Sequence, residues 1–208
     1  MKRLYQVVYN ISTKHQDVIS GFSRHYQLIM KEKKAEQNEE FLEVITEEGK
    51  TIKTLPRSEI HGNPSLIHKV VHVLVFNMNG DLLLQKRSLN KDVAPGKWDT
   101  SVGGHVNAGE TLFEALQREM EEELGLKACR PEFLYSYIHT NPYETELVYT
   151  YSCSFTGRIV FNRQEIDQVM AWSFDDIRQN IGRGIFSDNF EHEFRKYLEY
   201  KDSRIPGF

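Results

Sequence analysis

The stretch GHVNAGETLFEALQREMEEELGL, residues 104–126, decides how the rest of this chain is read. A glycine-containing loop runs into a short amphipathic segment. On a helix turning about 100° per residue, Glu119, Glu122 and Glu123 lie at i, i+3 and i+4 and share one edge. Leu112, Phe113, Leu116, Met120 and Leu124 form a neighbouring apolar stripe. One edge can therefore pack on a core while the next presents three carboxylates to one point. Like charges that close repel, which costs stability unless a cation sits among them. The plain alternative for such a cluster is a solvated acidic face.

The spacing separates the two. It is G-x5-E-x7-R-E-U-x-E-E-x-G-U, with U apolar. Gly104, Glu110, Arg118, Glu119, Met120, Glu122, Glu123, Gly125 and Leu126 fill every fixed position. This resembles the Nudix box of the Nudix hydrolases, without a departure. The resemblance covers about residues 40–200. It implies an α+β Nudix fold: a mixed β-sheet sandwiched between helices, with the box as a loop–helix–loop. An extra N-terminal strand/helix segment lies outside it.

At 208 residues the chain has room for one domain with a full core and added structure, or at most two small domains. Hydrophobic residues make up 39% and charged residues 27%, which suits a soluble globular protein. A net charge of −4 predicts no broad affinity for nucleic acid or acidic membranes. Cys129 and Cys153 are too few for a disulfide framework and lack ligand-like spacing, so thiols in a reducing cytoplasm are expected. The start, MKRLYQVVYNIS, does not read as a signal peptide, because polar residues interrupt its apolar run. No stretch approaches the roughly 20 apolar residues of a membrane span. A cytoplasmic location follows as the expectation.

Residues 1–38 are expected to form an N-terminal extension that packs on the main domain, covers the site as a lid, or makes a homodimer contact. Leu4 to Ile11 suits a strand, and Val18, Ile19, Phe22, Tyr26, Ile29 and Met30 recur at helical spacing. Residues 39–208 are expected to be the catalytic domain. Phe41–Ile45 and Thr51–Thr54 flank a glycine-containing turn and read as a hairpin. Val70–Asn77 and Leu82–Lys86 flank Asn79-Gly80, a strong hairpin signal. Phe133–Ile138, Leu147–Phe155 and Val169–Trp172 read as later strands. Ser173 and Ser187 each open a helix, the first through a capping box with Asp176.

Clustered carboxylates without cysteine suit hard cations such as Mg²⁺ or Mn²⁺. Such ions neutralise a diphosphate and help generate the hydroxide that attacks phosphorus. The resemblance implies hydrolysis of a diphosphate linked to another group. It makes Glu119, Glu122 and Glu123 metal ligands, together with the carbonyl of Gly103. Arg118 and Glu110 would pair to hold the loop on the helix, and Gly104 and Gly125 would serve backbone shape. The general base is left open between Glu119 and a carboxylate outside the box: Glu144, Glu146 or Glu165. Glu165 reads equally as an exposed charge at a helix start.

A second resemblance lies around the box. Gln85-Lys86-Arg87-Ser88, Lys91-Asp92 and Pro95 through His105 are similar to the isopentenyl-diphosphate isomerase branch of the superfamily. It implies a second site for Zn²⁺ or Mn²⁺ at His61, His68, His105, Glu144 and Glu146. The catalytic cysteine of those isomerases falls at Gly103, which has no side chain to move a proton. The expected function is therefore metal-dependent hydrolysis of a nucleoside-diphosphate-like or prenyl-diphosphate-like small molecule. Double-bond isomerisation and non-catalytic sensing of a diphosphate ligand are the alternatives. Lys86, Arg87, Lys91 and Lys97 are candidate phosphate contacts. Lys86 and Arg87 face opposite ways on a strand, so at most one enters the site. Tyr137 and Tyr143 are candidates for an apolar group, and Trp98 for the core.

Overall fold

A computed structural model describes residues 39–127 and 129–204. The strand, helix, lid and dimer expectations for residues 1–38 lie outside the described residues. From Phe41 onward the chain forms one unit around a nine-stranded mixed sheet. Its elements run β1 (Phe41–Ile45), β2 (Thr51–Pro56), α1 (Arg57–Ile60), β3 (Ile67–Phe76), β4 (Leu82–Arg87), β5 (Trp98–Asp99) and β6 (Val102–His105). After them come α2 (Leu112–Leu124), β7 (Glu132–Thr140), β8 (Thr145–Ser154), β9 (Ile166–Trp172), α3 (Phe174–Asn180) and α4 (Asp188–Ser203).

Strand β3 is the spine. It pairs in parallel with β8 along its whole length, from Ile67↔Thr145 to Phe76↔Ser154. On the other side it takes β6 antiparallel, with Val71↔Gly104 and His72↔Gly103. Strand β7 extends the sheet beyond β8, and β4 carries β5 and β9. Alternation along β3 sorts its side chains into two layers. Val71, Val73 and Val75 pack with Leu116, Met120 and Leu124 of α2. Leu74 joins Phe186, Phe190 and Phe194 on the α4 side. The sheet is thus covered by α2 on one face and by α3 and α4 on the other, the sandwich expected from the sequence.

The helix signals hold in detail. Thr111 caps α2 by accepting from Glu114 N, and the Glu114 side chain accepts in return from Thr111 N, a reciprocal box. Gly125 ends α2 in the left-handed region at φ 67°, and a Cβ there would lie 3.0 Å from Val160 O. Ser173 and Ser187 cap α3 and α4 as read from the sequence. The expectation of two thiols is corrected: Cys129 and Cys153 are joined as a disulfide. The bond ties the segment after α2 to β8, which are 24 residues apart in sequence but neighbours under the α2 layer. Among the described residues no helix is long and apolar enough to cross a membrane.

Candidate active site

Strand β6 brings two clusters of polar side chains together. Gly103, Gly104 and His105 lie in succession on it, with the helix α2 carboxylates on one side and an imidazole cluster on the other.

On the helix side Arg118 is the hub. It forms two 2.9 Å hydrogen bonds to the two oxygens of Glu110, through Nε and Nη2. Nη2 also donates to the carbonyl of His105 at 2.9 Å, and Nη1 to Glu119 at 2.6 Å. A longer pair reaches Glu122 at 3.4 Å. The fork of the guanidinium suits such bidentate contacts. Burial alone would raise the carboxyl of Glu110, but the Arg118 bonds and the Asn107 amide hold it below its usual value. The surrounding carboxylates push the guanidinium of Arg118 up, the hydrogen bonds it donates to Glu110 most of all. Arg118→Met should therefore cost about 2 kcal/mol, because two part-buried carboxylates lose charged donors. Urea unfolding measures this; an unmoved midpoint would show that Arg118 does not pin the loop.

Gly104 is required by space rather than by backbone conformation. A Cβ built on it would fall 2.0 Å from the carboxyl carbon of Glu119. The carboxylate of Glu119 lies flat on the bare backbone of β6. Glu123 is buried beside it and accepts from Gln85 Nε2 and from Gly103 N, both at 3.0 Å. Burial, then the charge of Glu119, pushes Glu123 up to about 8. Glu165 is near enough to add to that shift, and it pairs with Lys91 at 2.8 Å. Glu122 is the outer member, its side chain 58% exposed.

On the other side His61, His68, His105 and Glu144 place one donor atom each within 4.8 Å of one another. Nε2 of His61 lies 3.2 Å from Nε2 of His105 and 3.4 Å from Glu144. His68 is fully buried, and neither of its ring nitrogens has a hydrogen-bond partner among the described residues. Burial, with His105 and His61 beside it, holds His68 far below its ordinary pKa. A neutral imidazole keeps a lone pair, the form that binds a metal. Glu146, the remaining residue of the expected set, is not one of these four donors and accepts from Asn189 Nδ2 at 2.9 Å. Burial raises both Glu144 and Glu146, and each acidic neighbour reinforces the effect on Glu146. Among the described residues these donors fit a divalent ion with borderline-soft preferences.

On the imidazole side of β6 opens a cavity of about 380 Å³, which reaches Gly103 and Gly104. Of the expected phosphate contacts, Arg87 and Lys97 line it and Lys86 does not. Arg87 is anchored to Asp99 at 3.3 Å, and Lys97 donates to the carbonyl of Gly184. Tyr143 lies edge-on to His61, while Tyr137 turns away and stacks on His192. Trp98 packs against Trp172 on the α4 side.

Sequence reasoning missed several residues. Arg57, four residues before His61 on α1, enters the cavity wall. Gln85, next to the two basic residues that were singled out, holds Glu123. His72, Glu193 and Thr150 form a buried trio: His72 Nδ1 meets Glu193 Oε1 at 3.1 Å, and the Thr150 hydroxyl donates to the same oxygen at 2.9 Å. Burial would lower His72, yet the carboxylate of Glu193 outweighs it and lifts the ring to about 9. The signal for His72 was its spacing. Four residues from His68, two periods of a strand, it faces the same way on β3.

The NUDIX domain family model matches residues 66–193. Among curated relatives, an Arabidopsis thaliana protein named Nudix hydrolase 3 is 45% identical over 97 residues, 46% of this chain and 12% of that one. An isopentenyl-diphosphate Delta-isomerase of Rhizobium rhizogenes is 33% identical over 148 residues, 67% of this chain and 69% of that one. Some matches are thus partial, and an uncharacterised Nudix hydrolase of Pseudomonas aeruginosa is matched over 55% of its length. The crystal structure of DR0079 from Deinococcus radiodurans superposes with a TM-score of 0.67 at 23% identity, covering 76% of this chain and 98% of that one. That likeness bears on the fold alone. With the family model spanning β3 to β9, the box helix and most of the cavity wall, the chain belongs to the Nudix hydrolase family.

Proposed function

We propose that this protein is a divalent-metal-dependent hydrolase that cleaves a diphosphate linkage in a small molecule of nucleoside-diphosphate or prenyl-diphosphate type. The observation that carries the reading is the burial of Glu119 and Glu123 side by side against Gly104 and Gly103. Two neighbouring buried carboxylates are unfavourable unless a cation joins them. Glu119, Glu122, Glu123 and the Gly103 carbonyl would hold Mg²⁺ or Mn²⁺. His61, His68, His105 and Glu144, with Glu146 close by, would hold a second ion such as Zn²⁺ or Mn²⁺. Bound there, such ions neutralise the diphosphate and make water more acidic. The protein's own residues do the rest. Arg57, Arg87 and Lys97 supply positive charge along the cavity wall for the phosphate oxygens. Glu165, within electrostatic reach of Glu123, is the carboxylate outside the box best placed to take a proton from the attacking water. Lys91 pairs with it at 2.8 Å and so fixes where the carboxylate sits.

Phosphate release from nucleoside, sugar-nucleotide, thiamine-type and prenyl diphosphates, with Mg²⁺, Mn²⁺ and Zn²⁺ in turn, tests this. Turnover of at least one class should appear with added metal and vanish with chelator. No release from any class, or release indifferent to chelator, would remove the reading.

The imidazole cluster and the similarity to the Rhizobium enzyme favour one second reading, isomerisation of isopentenyl diphosphate. Against it, Gly103 has no acid–base group, and Cys129 and Cys153 are bonded to each other on the α2 side of the sheet. Deuterium exchange from solvent into isopentenyl diphosphate decides the matter. Exchange at a steady rate would establish isomerase chemistry; its absence alongside phosphate release leaves hydrolysis.

A further inference from the structure

The cavity has a feature that neither metal cluster uses. His72 forms part of its wall, and only 5% of the residue is exposed. The orientation of its ring is fixed from behind. Nδ1 is held by Glu193, which is fully buried and also bonded to Thr150. Thr150 is the residue paired with His72 across β3 and β8, so the strand register itself sets this contact. Glu193 comes from the middle of α4, whose packing on the sheet is fixed by Phe190 and Phe194. A carboxylate buried this deeply needs a counter-charge. Among the described residues the basic side chain that meets it is His72.

With Nδ1 committed, Nε2 is the nitrogen left over, and it has no hydrogen-bond partner among the described residues. It lies beside the bare backbone of Gly103. A Cβ built there would stand 3.2 Å from Nε2 and 3.0 Å from Cδ2. The missing side chain at position 103 is what leaves room for the ring beside β6. Arg87 and Lys97 contribute positive charge to the walls of the same cavity, beside the carboxylates of Asp99, Glu144, Glu146 and Asp188.

We propose that His72 is a substrate-contacting residue whose Nε2–H donates a hydrogen bond to a phosphate oxygen of the bound diphosphate, with Glu193 and Thr150 as the positioning residues behind it. The assignment rests on the hydrolase reading for the identity of the substrate, but its geometry is independent of turnover. The trio joins the α4 layer to the cavity: the helix whose first residues line it also sets, from its middle, the aim of a side chain in its wall.

The test uses the full chain with ring-¹⁵N-labelled histidine, Mg²⁺ and methylenediphosphonate, a diphosphate that cannot be hydrolysed. The Nε2 resonance of His72, assigned by its loss in His72→Asn, should shift on titration with the probe. Asparagine keeps a donor for Glu193 but has nothing at the Nε2 position, so His72→Asn should bind the probe at least tenfold more weakly. Glutamine reaches further, so His72→Gln should recover part of that loss. A silent His72 resonance, or His72→Asn binding the probe as well as the parent, overturns the contact even if phosphate release proceeds normally. A His72 response in a protein that releases no phosphate would uphold the contact and remove the hydrolase reading instead.

Discussion

Glu123→Gln should fold at least as stably as the parent, measured without metal, and hydrolyse its substrate at least about 100-fold more slowly. The first half follows from burial. In the parent the carboxyl of Glu123 is pushed up to about 8 from its ordinary value of 4.5. A raised carboxyl favours folding below the unfolded value and weakens it as pH climbs from about 4.5 through 8. Near pH 7 part of that loss is already present. Glutamine carries no charge, and its amide oxygen can still accept from Gln85 and Gly103. A gain of roughly 1–3 kcal/mol at neutral pH in chelator is therefore expected, shrinking toward pH 4. The second half follows from chemistry. An amide is a poor ligand for a hard cation and cannot help neutralise it. Removing partners one shell further out already costs 10–100-fold in metal sites, so loss of a direct ligand should exceed about 100-fold. Glu122→Gln separates the two effects. Glu122 is largely exposed, so its replacement should leave stability unchanged while turnover still falls. Full turnover in both variants would end the assignment of the helix edge as the metal cradle.

Much of this was legible in the chain because the signals were local or fixed in spacing. The β-branched run of β3, the Ser173 and Ser187 caps and the Asn79-Gly80 turn each depend on a few adjacent residues. The box spacing put Glu110, Arg118 and Glu119 in one network because a helix turn and a short loop fix their separation. The expected histidines came together although His61, His68 and His105 span three elements; there the resemblance did what periodicity could not.

What was missed depended on contacts between distant segments. Glu193 looked like any charge on an amphipathic helix, and only the packing of α4 on β3 and β8 buries it on His72. Gln85 sat beside two basic residues that drew attention by charge, while the strand turned the amide inward to Glu123. Cys129 and Cys153 lie 24 residues apart with no motif between them, so their pairing was visible only once β8 ran beneath the segment after α2. Composition gave their redox state the wrong sign because it averages over compartments rather than over geometry.

The most severe single change should be Gly104→Ala. Gly104 has ordinary extended backbone, so the replacement strains no dihedral; it collides. The new Cβ would lie 2.0 Å from the carboxyl carbon and Oε1 of Glu119, where real atoms do not approach. A flexible side chain might be expected to move aside. Here it is held, because Arg118 grips Glu119 at 2.6 Å and Glu110 and the carbonyl of His105 grip Arg118. Strand β6 cannot retreat either, since it is paired to β3 at Val71↔Gly104. Either the carboxylate leaves the metal edge or the strand shifts, and both cost turnover. Loss beyond about 100-fold is expected, with about 1–3 kcal/mol of stability, the usual range for overpacking a fixed site. The collision has one partner, so it can be relieved. In a Glu119→Ala background, which is already inactive, adding Gly104→Ala should cost less than about 0.5 kcal/mol, a coupling that distant sites would not show. If Gly104→Ala alone kept both turnover and stability, Glu119 would have to sit elsewhere in the working enzyme, and the contact between the box loop and its helix would not be what orders the site.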